Sequence, residues 1–446
     1  MVKTGAWMVR ILIINVVCGT GSTGKICVDL AKSYESAGDT VKIAYGRGGQ
    51  VSPQYRKYGV RIGSGVDVCC HALLARVTDR QGCFSKRATR KFLRWADGYD
   101  PDEIWLHNIH GYYLNYEMLF RWMKEHPGIR VKWTLHDCWA FTGHCTHFVS
   151  VQCDKWRKQC ERCPQKREYP ASFLMDHSKE NYAKKRESFC GVRNMTLITP
   201  SCWLGDLVKE SFLKEYTVEV IYNQIDKTIF RPTESDFRKR YGLEKKIMIL
   251  GVASVWNKKK GLDDFIKLAH MLDDSYAIVL VGLTKRQIKR VSKRIWGIGQ
   301  VKSGKELAKI YSKSDVFVNP SREESFGMTT AEAAMCGAKT IVYEGTACEE
   351  VAKKYGGMAV PVGVEHLYEA ITGRKYVPGG HKVAWMIGIP RTDDARELAG
   401  LYTAADVFVN PTYEDSFPTT NLEARACGTR VITYDVGGCR ETLNIF

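Results

Sequence analysis

The sequence predicts an α/β protein with two parallel sheets that face a cleft, followed by an extra partial α/β repeat. Three observations lead to this prediction. Apolar runs alternate with helical segments over residues 11–200, the alternation starts again at residue 247, and one stretch of the chain occurs twice. The 446 residues are enough for two or more domains, and 44% hydrophobic with 26% charged residues is ordinary for a soluble globular protein.

The first sheet is predicted from five apolar runs in the N-terminal half. The expected strands are Ile11–Val17, Thr40–Ala44, Glu103–His107, Val131–His136 and Thr196–Pro200. The apolar stretch 9–17 runs directly into a glycine-rich loop, which indicates a buried first strand and not a signal peptide. These strands predict an N-terminal domain over residues 8–225.

A second series of strands begins after residue 232. The expected strands are Ile247–Ala253, Ala277–Gly282, Val316–Asn319 and Thr340–Tyr343, with helices between them at Gly261–Met271, Ser303–Lys313 and Thr329–Cys336. They predict a second domain over residues 226–372. Ligands of such sheets bind at the carboxyl ends of the strands, so the cleft between the domains is the expected site.

The repeated stretch runs from Glu306 to Val351 and again from Glu397 to Thr442. We refer to residues 306–351 as the first segment and to residues 397–442 as the second segment. They align without a gap, and about half of the positions are identical. Each contains an acidic residue, seven further residues and a glutamate: Glu324 with Glu332, and Asp415 with Glu423. The second segment follows a plausible linker at 373–380 and predicts helix, strand, helix and strand within a partial domain, 384–446.

A glycine-rich loop follows the first predicted strand. Its sequence, GTGSTGK from Gly19 through Gly21 and Gly24 to Lys25, nearly matches the phosphate loop of NTPases, but Ile26 stands where that loop needs a magnesium-binding hydroxyl. Three alternatives stay open: an NTPase loop, a tight turn without a ligand, and a turn whose amides and helix N-terminus face an anionic substrate.

Two histidine clusters follow predicted strands of the first sheet. One contains His107 and His110, and the other contains His136 next to Asp137. A single histidine is more often structural than functional. Two clusters at neighbouring strand ends favour a functional role at the cleft.

Five cysteines lie between residues 138 and 163. The last two form a Cys-x-x-Cys pair, which is half of a tetrahedral zinc site, and the upstream spacing is looser. The alternatives are a structural zinc, reduced thiols in a packed excursion, and a redox or iron–sulfur role. The zinc hypothesis uses Cys145, Cys153, Cys160 and Cys163.

The net charge of +17 favours anionic partners such as nucleotide sugars, lipid headgroups or nucleic acid. Arg286, Lys289, Arg290, Lys293 and Arg294 have helical spacing and predict one basic face, for which an anionic membrane surface is one candidate. Three consecutive lysines, ending with Lys260, lie where a helix is predicted to begin. The helix dipole disfavours cations at this end, so three lysines here suggest that an anion binds between them.

The loop and helix start at residues 320–330 give the strongest indication of a site. Helix amides at such a position point at phosphates. The carboxylates of Glu324 and Glu332 can accept hydrogen bonds from sugar and ribose hydroxyls. An acidic helix start would by itself explain Glu324 but not the whole motif.

These motifs together resemble the retaining glycosyltransferases of family 4, which have the GT-B fold of two Rossmann-like domains facing a cleft. The resemblance covers residues 8–372 and, separately, 384–446. Glu324-Ser325-Phe326-Gly327 through Glu332 is similar to the family's E-x7-E signature. The stretches HNIHGYYLN and HDCWAFTGHC resemble the subgroup that builds bacterial exopolysaccharide, colanic acid or O-antigen chains.

The resemblance implies a role for each matching residue. Glu324 would contact the donor sugar, His136 would contact that sugar near the reacting carbon, and both are the implied catalytic residues. Glu332 would contact the nucleotide ribose. The remaining implied donor contacts are Lys259, Lys260, Ser325, Phe326, Gly327, Met328 and Thr329. The implied acceptor-side residues are Gly19, Gly21, Gly24 and His110.

The resulting hypothesis is a cytoplasmic hexosyltransferase, at or near the inner membrane face, that uses a nucleotide-diphosphate sugar without a catalytic metal. Its expected acceptor is a glycan or a polyprenyl-diphosphate-linked sugar, and no nucleic acid partner is expected. The alternatives are a basic, zinc-stapled protein that binds glycan or nucleic acid without chemistry, and a broken fusion without activity. The second segment is either vestigial, a replacement for the first, or part of such a fusion; we favour the first explanation because Glu324 belongs to a complete domain.

Overall fold

The computed structural model describes residues 8–301, 303–376, 392, 394–412 and 415–444. The chain divides into two units, one ending at residue 377 and one beginning at residue 378. The first unit contains two parallel sheets with helices, and the second contains a two-stranded sheet. The predicted start of the partial domain at 384–391, and the linker beyond residue 376, lie outside the described residues.

The first sheet has seven strands in the order β3-β2-β1-β4-β5-β6-β7, and all of its neighbouring strands are parallel. The strands are β1 Arg10–Asn15, β2 Thr40–Tyr45, β3 Gly59–Arg61, β4 Glu103–Leu106, β5 Arg130–Thr134, β6 Met195–Thr199 and β7 Thr217–Val220. The five predicted strands are confirmed. The sequence missed β3 and β7, because these edge strands are short or lack a buried apolar face.

Six helices belong to this sheet. They are α1 Gly21–Ser36, α2 Gly65–Thr78, α3 Lys86–Tyr99, α4 Tyr116–Glu125, α5 Ser178–Phe189 and α6 Cys202–Lys209. The central strand β1 is buried from Ile11 to Asn15, as expected when helices cover both faces of a parallel sheet. Tyr116, Phe120 and Phe189 join Trp133 in the core on one face.

The second sheet has six strands in the order β10-β9-β8-β11-β12-β13. They are β8 Ile247–Val252, β9 Tyr276–Val281, β10 Ile295–Ile298, β11 Val316–Asn319, β12 Lys339–Tyr343 and β13 Met358–Val360. Its helices are α7 Phe237–Tyr241, α8 Leu262–Met271, α9 Lys285–Ile288, α10 Gly304–Tyr311, α11 Met328–Met335, α12 Ala347–Lys354 and α13 Val364–Thr372. The four predicted strands and three predicted helices are confirmed, and the edge strands β10 and β13 were again missed.

The predicted basic helix face at residues 286–294 is wrong. Helix α9 ends at Ile288, a turn follows, and Arg294 immediately precedes β10. The five cations therefore do not share one helix. Helical spacing of charges could not reveal this, because the short strand that ends the helical path was not recognised.

The second unit contains α14 Ala395–Ala404, β14 Val407–Asn410, α15 Thr419–Ala426, β15 Arg430–Thr433 and α16 Cys439–Thr442. Its helix, strand, helix and strand agree with the sequence prediction. Strands β14 and β15 are parallel and form a sheet of two among the described residues.

Candidate functional site

The site of the second sheet is built at the carboxyl ends of β8 and β11, which are neighbours in that sheet. The loop after β8 ends in a one-turn helix, Lys258–Lys260, and the loop after β11 leads into α11. Gly261 joins the two loops closely: it has φ +76°, and a Cβ there would lie 2.4 Å from Pro320. Only glycine allows this approach, so the lysines and the α11 loop are held side by side.

Two lysines pair with two glutamates in these loops. Lys260 Nζ forms an ion pair with the carboxylate of Glu324, and Lys259 Nζ lies 2.9 Å from Glu323 Oε2. Burial by itself lowers the pKa of Lys260, but the attraction of Glu324 and other nearby anionic groups outweighs it and leaves a raised pKa. Lys260 therefore stays charged, and a cation and a carboxylate are presented together.

Helix α11 begins directly beside this pair. Gly327 precedes it with φ +88°, where a Cβ would lie 2.5 Å from Cys348 Sγ, and Phe326 is buried. The first amide to bond back within this turn is that of Thr330, to the Gly327 carbonyl. The amides of Met328 and Thr329 come before it, at the positive end of the helix dipole.

Glu332 lies one turn further along α11. The hydroxyl of Tyr311 donates to its Oε2 at 3.1 Å. Burial raises the pKa of Glu332 to about 7, although Tyr311 and the nearby cation Lys25 oppose the shift. Lys25 lies in the first turns of α1, directly after the glycine-rich turn, so the start of α1 lies close to this carboxylate.

The glycine-rich loop is held in a compact turn between β1 and α1. Gly19 and Gly21 have φ of +71° and +64°, and the Gly19 amide donates to the Gly24 carbonyl at 3.1 Å. Asn15 ties this turn to the loop after β4 by accepting from the Asn108 amide at 3.2 Å. The glycine-rich turn and the first histidine cluster therefore lie at one edge of the sheet.

The histidines at the ends of β4 and β5 lie against each other. His107 Nδ1 and His136 Nε2 are 2.9 Å apart, and the rings stack with centroids separated by 5.2 Å. Burial lowers the pKa of His136 to about 4 and that of His107 well below its usual value. Both imidazoles are therefore neutral at pH 7, and the bond between them orients His136.

His110 belongs to a second chain of polar groups nearby. Its Nε2 lies 2.9 Å from Asp137 Oδ2, and its Nδ1 lies 3.1 Å from the hydroxyl of Tyr169. Burial of Asp137 would raise its pKa, but His110 outweighs this effect and the pKa falls to about 2. Asp137 is thus a carboxylate that fixes the orientation of the His110 ring.

The two sheets meet where the α11 loop contacts the ends of β5 and β6. Ser325 Oγ donates to the His136 carbonyl at 2.5 Å, and Ser201 Oγ donates to the Ser325 carbonyl at 2.9 Å. The predicted site residues of the two domains therefore lie in one cleft. His136, Glu324 and Lys260 come from three loops that are more than 60 residues apart in the chain.

The structure also adds site residues that the sequence did not indicate. Ser150 donates to Glu323, and Gln165 accepts from Lys259 Nζ. His147 lies within electrostatic reach of Glu323 and Glu324. These residues belong to, or directly follow, the cysteine-rich excursion. This excursion therefore contacts both the α11 loop, at Glu323, and the loop after β8, at Lys259. No motif signalled this contact, since only the path of the excursion in three dimensions creates it.

The predicted zinc site has no support in the structure. The four thiols border one narrow cavity, but among the described residues no three His, Cys, Asp or Glu side chains are arranged to hold a metal ion. The Cys145 thiol instead donates to Cys163 and lowers the pKa of Cys163 to about 7. Trp156 and Phe148 pack beside the thiols, so aromatic packing holds this excursion together.

A cavity of about 600 Å³ lies at the carboxyl ends of β8, β9 and β10. It is large enough for a nucleoside, and apolar and cationic groups face it. Its lining consists of Ser254, Val255, Trp256, Gly282, Leu283, Thr284, Arg286, Gln287, Arg290 and Gln300. Arg286 and Arg290, two of the five cations that the sequence predicted on one helix face, therefore border this cavity.

Comparison with known proteins relates both segments to glycosyl transferases. Residues 244–373 and residues 384–444 match two family models, each described as glycosyl transferases group 1. The chain is 25% identical over 371 residues to a putative colanic acid biosynthesis glycosyl transferase, WcaC, of Escherichia coli, covering 79% of this chain and 87% of that protein. It is 29% identical over 127 residues to an N,N'-diacetylbacillosaminyl-diphospho-undecaprenol α-1,3-N-acetylgalactosaminyltransferase of Campylobacter jejuni, covering 27% of this chain and 33% of that protein.

Solved structures support the same fold. Sucrose-phosphate synthase from Thermosynechococcus elongatus matches with a TM-score of 0.61 at 16% identity, over 82% of this chain and 89% of that chain. HepE of Anabaena, in complex with UDP-glucose, matches with a TM-score of 0.54 at 15% identity over the same shares. The protein thus has the GT-B arrangement of two facing parallel-sheet domains, and parts of its sequence are similar to group 1 glycosyl transferases.

Proposed function

We propose that the protein transfers a sugar, with retention of anomeric configuration, from a nucleotide-diphosphate sugar to a glycan or a polyprenyl-diphosphate-linked acceptor. The reaction would serve surface polysaccharide synthesis on the cytoplasmic side of the membrane. The relative WcaC is named for colanic acid biosynthesis, and the neighbour HepE binds UDP-glucose. Both support this class of reaction.

The observation that carries the proposal is the Lys260–Glu324 pair at the start of α11, opposite His136. A diphosphate needs cations and amide donors, whereas a sugar needs carboxylate acceptors. Lys260, Lys259 and the first amides of α11 supply the former, and Glu324 supplies the latter. Neutral His136, oriented by His107, hydrogen-bonds the sugar near the reacting carbon.

The nucleotide would lie further along the second sheet. Glu332 accepts hydrogen bonds from the ribose hydroxyls, and the cavity bordered by Trp256 and Gly282 receives the base. The raised pKa of Glu332 fits a carboxylate held in a partly dry site. Arg286 and Arg290 at the rim of the cavity favour an anionic ligand.

The proposed step is a displacement on one face of the sugar. The bond from the sugar's anomeric carbon to the leaving phosphate oxygen breaks, and a bond to the acceptor hydroxyl oxygen forms on the same face. The acceptor's proton passes to the leaving phosphate oxygen, so the nucleoside diphosphate departs without another base. Lys259, Lys260 and the α11 amides stabilise the developing charge, and we propose that they do so without a catalytic metal.

The acceptor would approach from the first sheet. The glycine-rich loop at Gly19, Gly21 and Gly24 borders the cleft near Glu332, and His110 is held by Asp137 and Tyr169. These groups position an acceptor hydroxyl by hydrogen bonds.

The test is calorimetric titration of the wild type with UDP-, GDP- and ADP-sugars, run beside Glu332→Ala and Glu423→Ala. Binding lost only in Glu332→Ala supports the proposal, whereas loss only in Glu423→Ala moves the donor site to the second segment. If the wild type binds no sugar nucleotide, the transferase proposal fails. With a bound donor in hand, the anomeric configuration of the transfer product, read by NMR, tests retention.

A further inference from the structure

Helix α2 carries apolar side chains on its solvent side as well as on its buried side. His71, Ala72 and Ala75 are buried, while on the opposite side Val66 and Leu73 are 72% and 64% exposed. The remaining exposed members of this side are Cys69, Cys70 and Leu74, which recur at helical spacing. A helix that is hydrophobic all round normally has both sides covered.

The segment after Pro170 extends this exposed surface. Phe173, Leu174 and Met175 are 60%, 68% and 46% exposed. Two backbone hydrogen bonds fix them beside the end of α2: the Phe173 amide donates to the Arg76 carbonyl at 2.7 Å, and the Met175 amide donates to the Val77 carbonyl at 3.2 Å. We call the surface formed by Val66, Leu73, Leu74 and residues 173–175 the apolar face.

Cations surround the apolar face. Arg76 is exposed on α2, and Lys166 Nζ donates to the Leu174 carbonyl at 3.3 Å. Helix α3 lies beside α2, where Arg87 is within electrostatic reach of Asp67. The solvent side of α3 carries Lys86, Arg87, Arg90, Lys91 and Arg94, all exposed.

Acidic groups do little to neutralise these cations. Residues 65–94 and 166–176 together contain nine Lys and Arg against three Asp and one Glu. Asp176 accepts hydrogen bonds from the Cys163 amide and the Ser178 hydroxyl. Asp67 accepts hydrogen bonds from Ser64 at the start of α2, and Asp79 is buried against His144. The surface therefore combines exposed large apolar side chains with a surplus of positive charge.

We propose that the apolar face docks on an anionic phospholipid bilayer, with α2 lying in the plane of the interface. Its apolar side chains would enter the boundary between headgroups and acyl chains, and the cations of α3 and Lys166 would meet the lipid phosphates. A second copy of the chain is a poorer partner, since two such faces would bring their cations together. Nucleic acid offers nothing for the apolar side chains to bury against.

This surface is one layer away from the acceptor-side residues. The buried side of α2, Ala72 and Ala75, packs on Tyr112, whose ring lies 6.1 Å from that of Tyr169. Tyr169 in turn contacts His110. If the proposed function holds, docking here delivers a membrane-embedded acceptor to the first domain. Docking itself does not depend on that function. Among the described residues, no helix is long and apolar enough to cross a bilayer.

The test is co-sedimentation of the full chain with vesicles of phosphatidylcholine containing phosphatidylglycerol, compared with phosphatidylcholine alone. We expect binding that requires phosphatidylglycerol and weakens with salt. Leu73→Glu/Leu74→Glu should lower the partition coefficient by about tenfold or more, because docking would then bring two carboxylates into the apolar part of the interface. Val362→Glu is the matched control: Val362 is 51% exposed in the second domain, and its replacement should not change binding.

A second pair of variants tests the charges. Arg87→Gln/Arg90→Gln should lower the partition coefficient by about 25-fold, since each cation near an anionic surface contributes roughly fivefold. Lys289→Gln/Lys293→Gln removes two exposed cations of the former basic-face prediction and should leave binding unchanged.

Three results overturn the proposal: no binding to phosphatidylglycerol vesicles, full binding by Leu73→Glu/Leu74→Glu, or loss of binding only in the Lys289 variant. A dimer in sedimentation equilibrium that Leu73→Glu/Leu74→Glu dissociates, without vesicle binding, assigns the face to self-association instead. Sugar-nucleotide titration of the same variants separates this outcome from failure of the proposed function. The Leu73 variant should bind donor like the wild type.

Discussion

The first and second segments contain the same strand, Val-Phe-Val-Asn, in two different settings. Val316–Asn319 lies between β8 and β12 and is buried throughout. Val407–Asn410 pairs with β15, and its two valines, Val407 and Val409, are 40% and 57% exposed. Identical residues thus give the same local structure, whereas neighbouring strands decide whether that structure becomes a core.

The helix starts differ more sharply. Gly327 in the first segment aligns with Pro418 in the second, which has φ −70° and no amide hydrogen. Glu324 pairs with Lys260, while the aligned Asp415 accepts from the Phe417 amide of its own loop at 3.0 Å. The second segment therefore lacks two features that the proposed donor site uses.

One local contact survives in both. Tyr311 donates to Glu332 at 3.1 Å, and Tyr402 donates to Glu423 at 3.4 Å. The spacing of the motif is sufficient for this contact, because the tyrosine and the glutamate lie on two helices within one segment. The two glutamates differ in the groups that approach them from distant parts of the chain, such as Lys25 beside Glu332.

The largest expected difference is catalytic. Glu324→Gln removes the charge that pairs with Lys260 at the proposed donor site, so we expect kcat/KM for sugar transfer to fall by about 10²- to 10³-fold. Asp415→Asn is the matched change in the second segment and should stay within twofold of the wild type. Steady-state transfer assays measure both, and equal losses would remove the distinction between the segments.

The next largest effect should be on stability, when the residues at the two helix starts, Gly327 and Pro418, are exchanged. Gly327→Pro cannot adopt φ +88° and would place a ring near Cys348, so we expect a loss of about 3 kcal/mol or more in the free energy of unfolding. Pro418→Gly should cost only about 1 kcal/mol, through greater freedom of the unfolded chain. Urea denaturation checks both. A small effect of Gly327→Pro would show that the positive φ is not needed.

The identical strands offer a smaller but cleaner contrast. Val318→Ala removes buried methyl groups and should lower the free energy of unfolding by about 2 kcal/mol. Val409→Ala removes exposed groups and should change it by less than about 0.5 kcal/mol. Each is measured in the denaturation transition of its own unit, and equal effects would mean that the second strand is covered in solution.

The last expected effect depends on pH. The pKa of Glu332 is about 7 in the folded protein against a reference of 4.5, because of burial. The folded state therefore keeps a proton that the unfolded chain has released between these values, and stability falls as pH rises through that window. Glu332→Gln should match the wild-type Tm near pH 4.5 and exceed it by roughly 5–10 °C at pH 8.

Thermal unfolding at both pH values checks this, with Glu423→Gln as the matched control. A gain of equal size in the two variants, or a Glu332→Gln gain that does not depend on pH, contradicts the assignment.

Much of the fold followed from the sequence, and the misses have a common cause. The nine inner strands of the two large sheets were predicted because their apolar runs are continuous and mostly buried. The edge strands β3, β7, β10 and β13 were missed because they are short or partly exposed, so periodicity gives no signal. The missed β10 also produced the wrong basic helix face.

The candidate site divides in the same way. Glu324, Lys260 and His136 were indicated by glycine turns and strand ends within their own loops. Ser150, Gln165 and His147 were not, since their proximity to the donor loop depends on where the cysteine-rich excursion folds back. The four clustered cysteines indicated zinc, but spacing alone cannot show how thiols point.

The sequence by itself determined the alternation of strands and helices, the glycine turns at the strand ends and the duplicated Glu–Tyr contact, because backbone conformation and periodicity act over a few residues. Only the tertiary structure decided which copy of Val-Phe-Val-Asn is buried, which carboxylate faces Lys260, and that α2 leaves an apolar face uncovered. Burial and ion pairing depend on groups that the chain brings together from positions far apart.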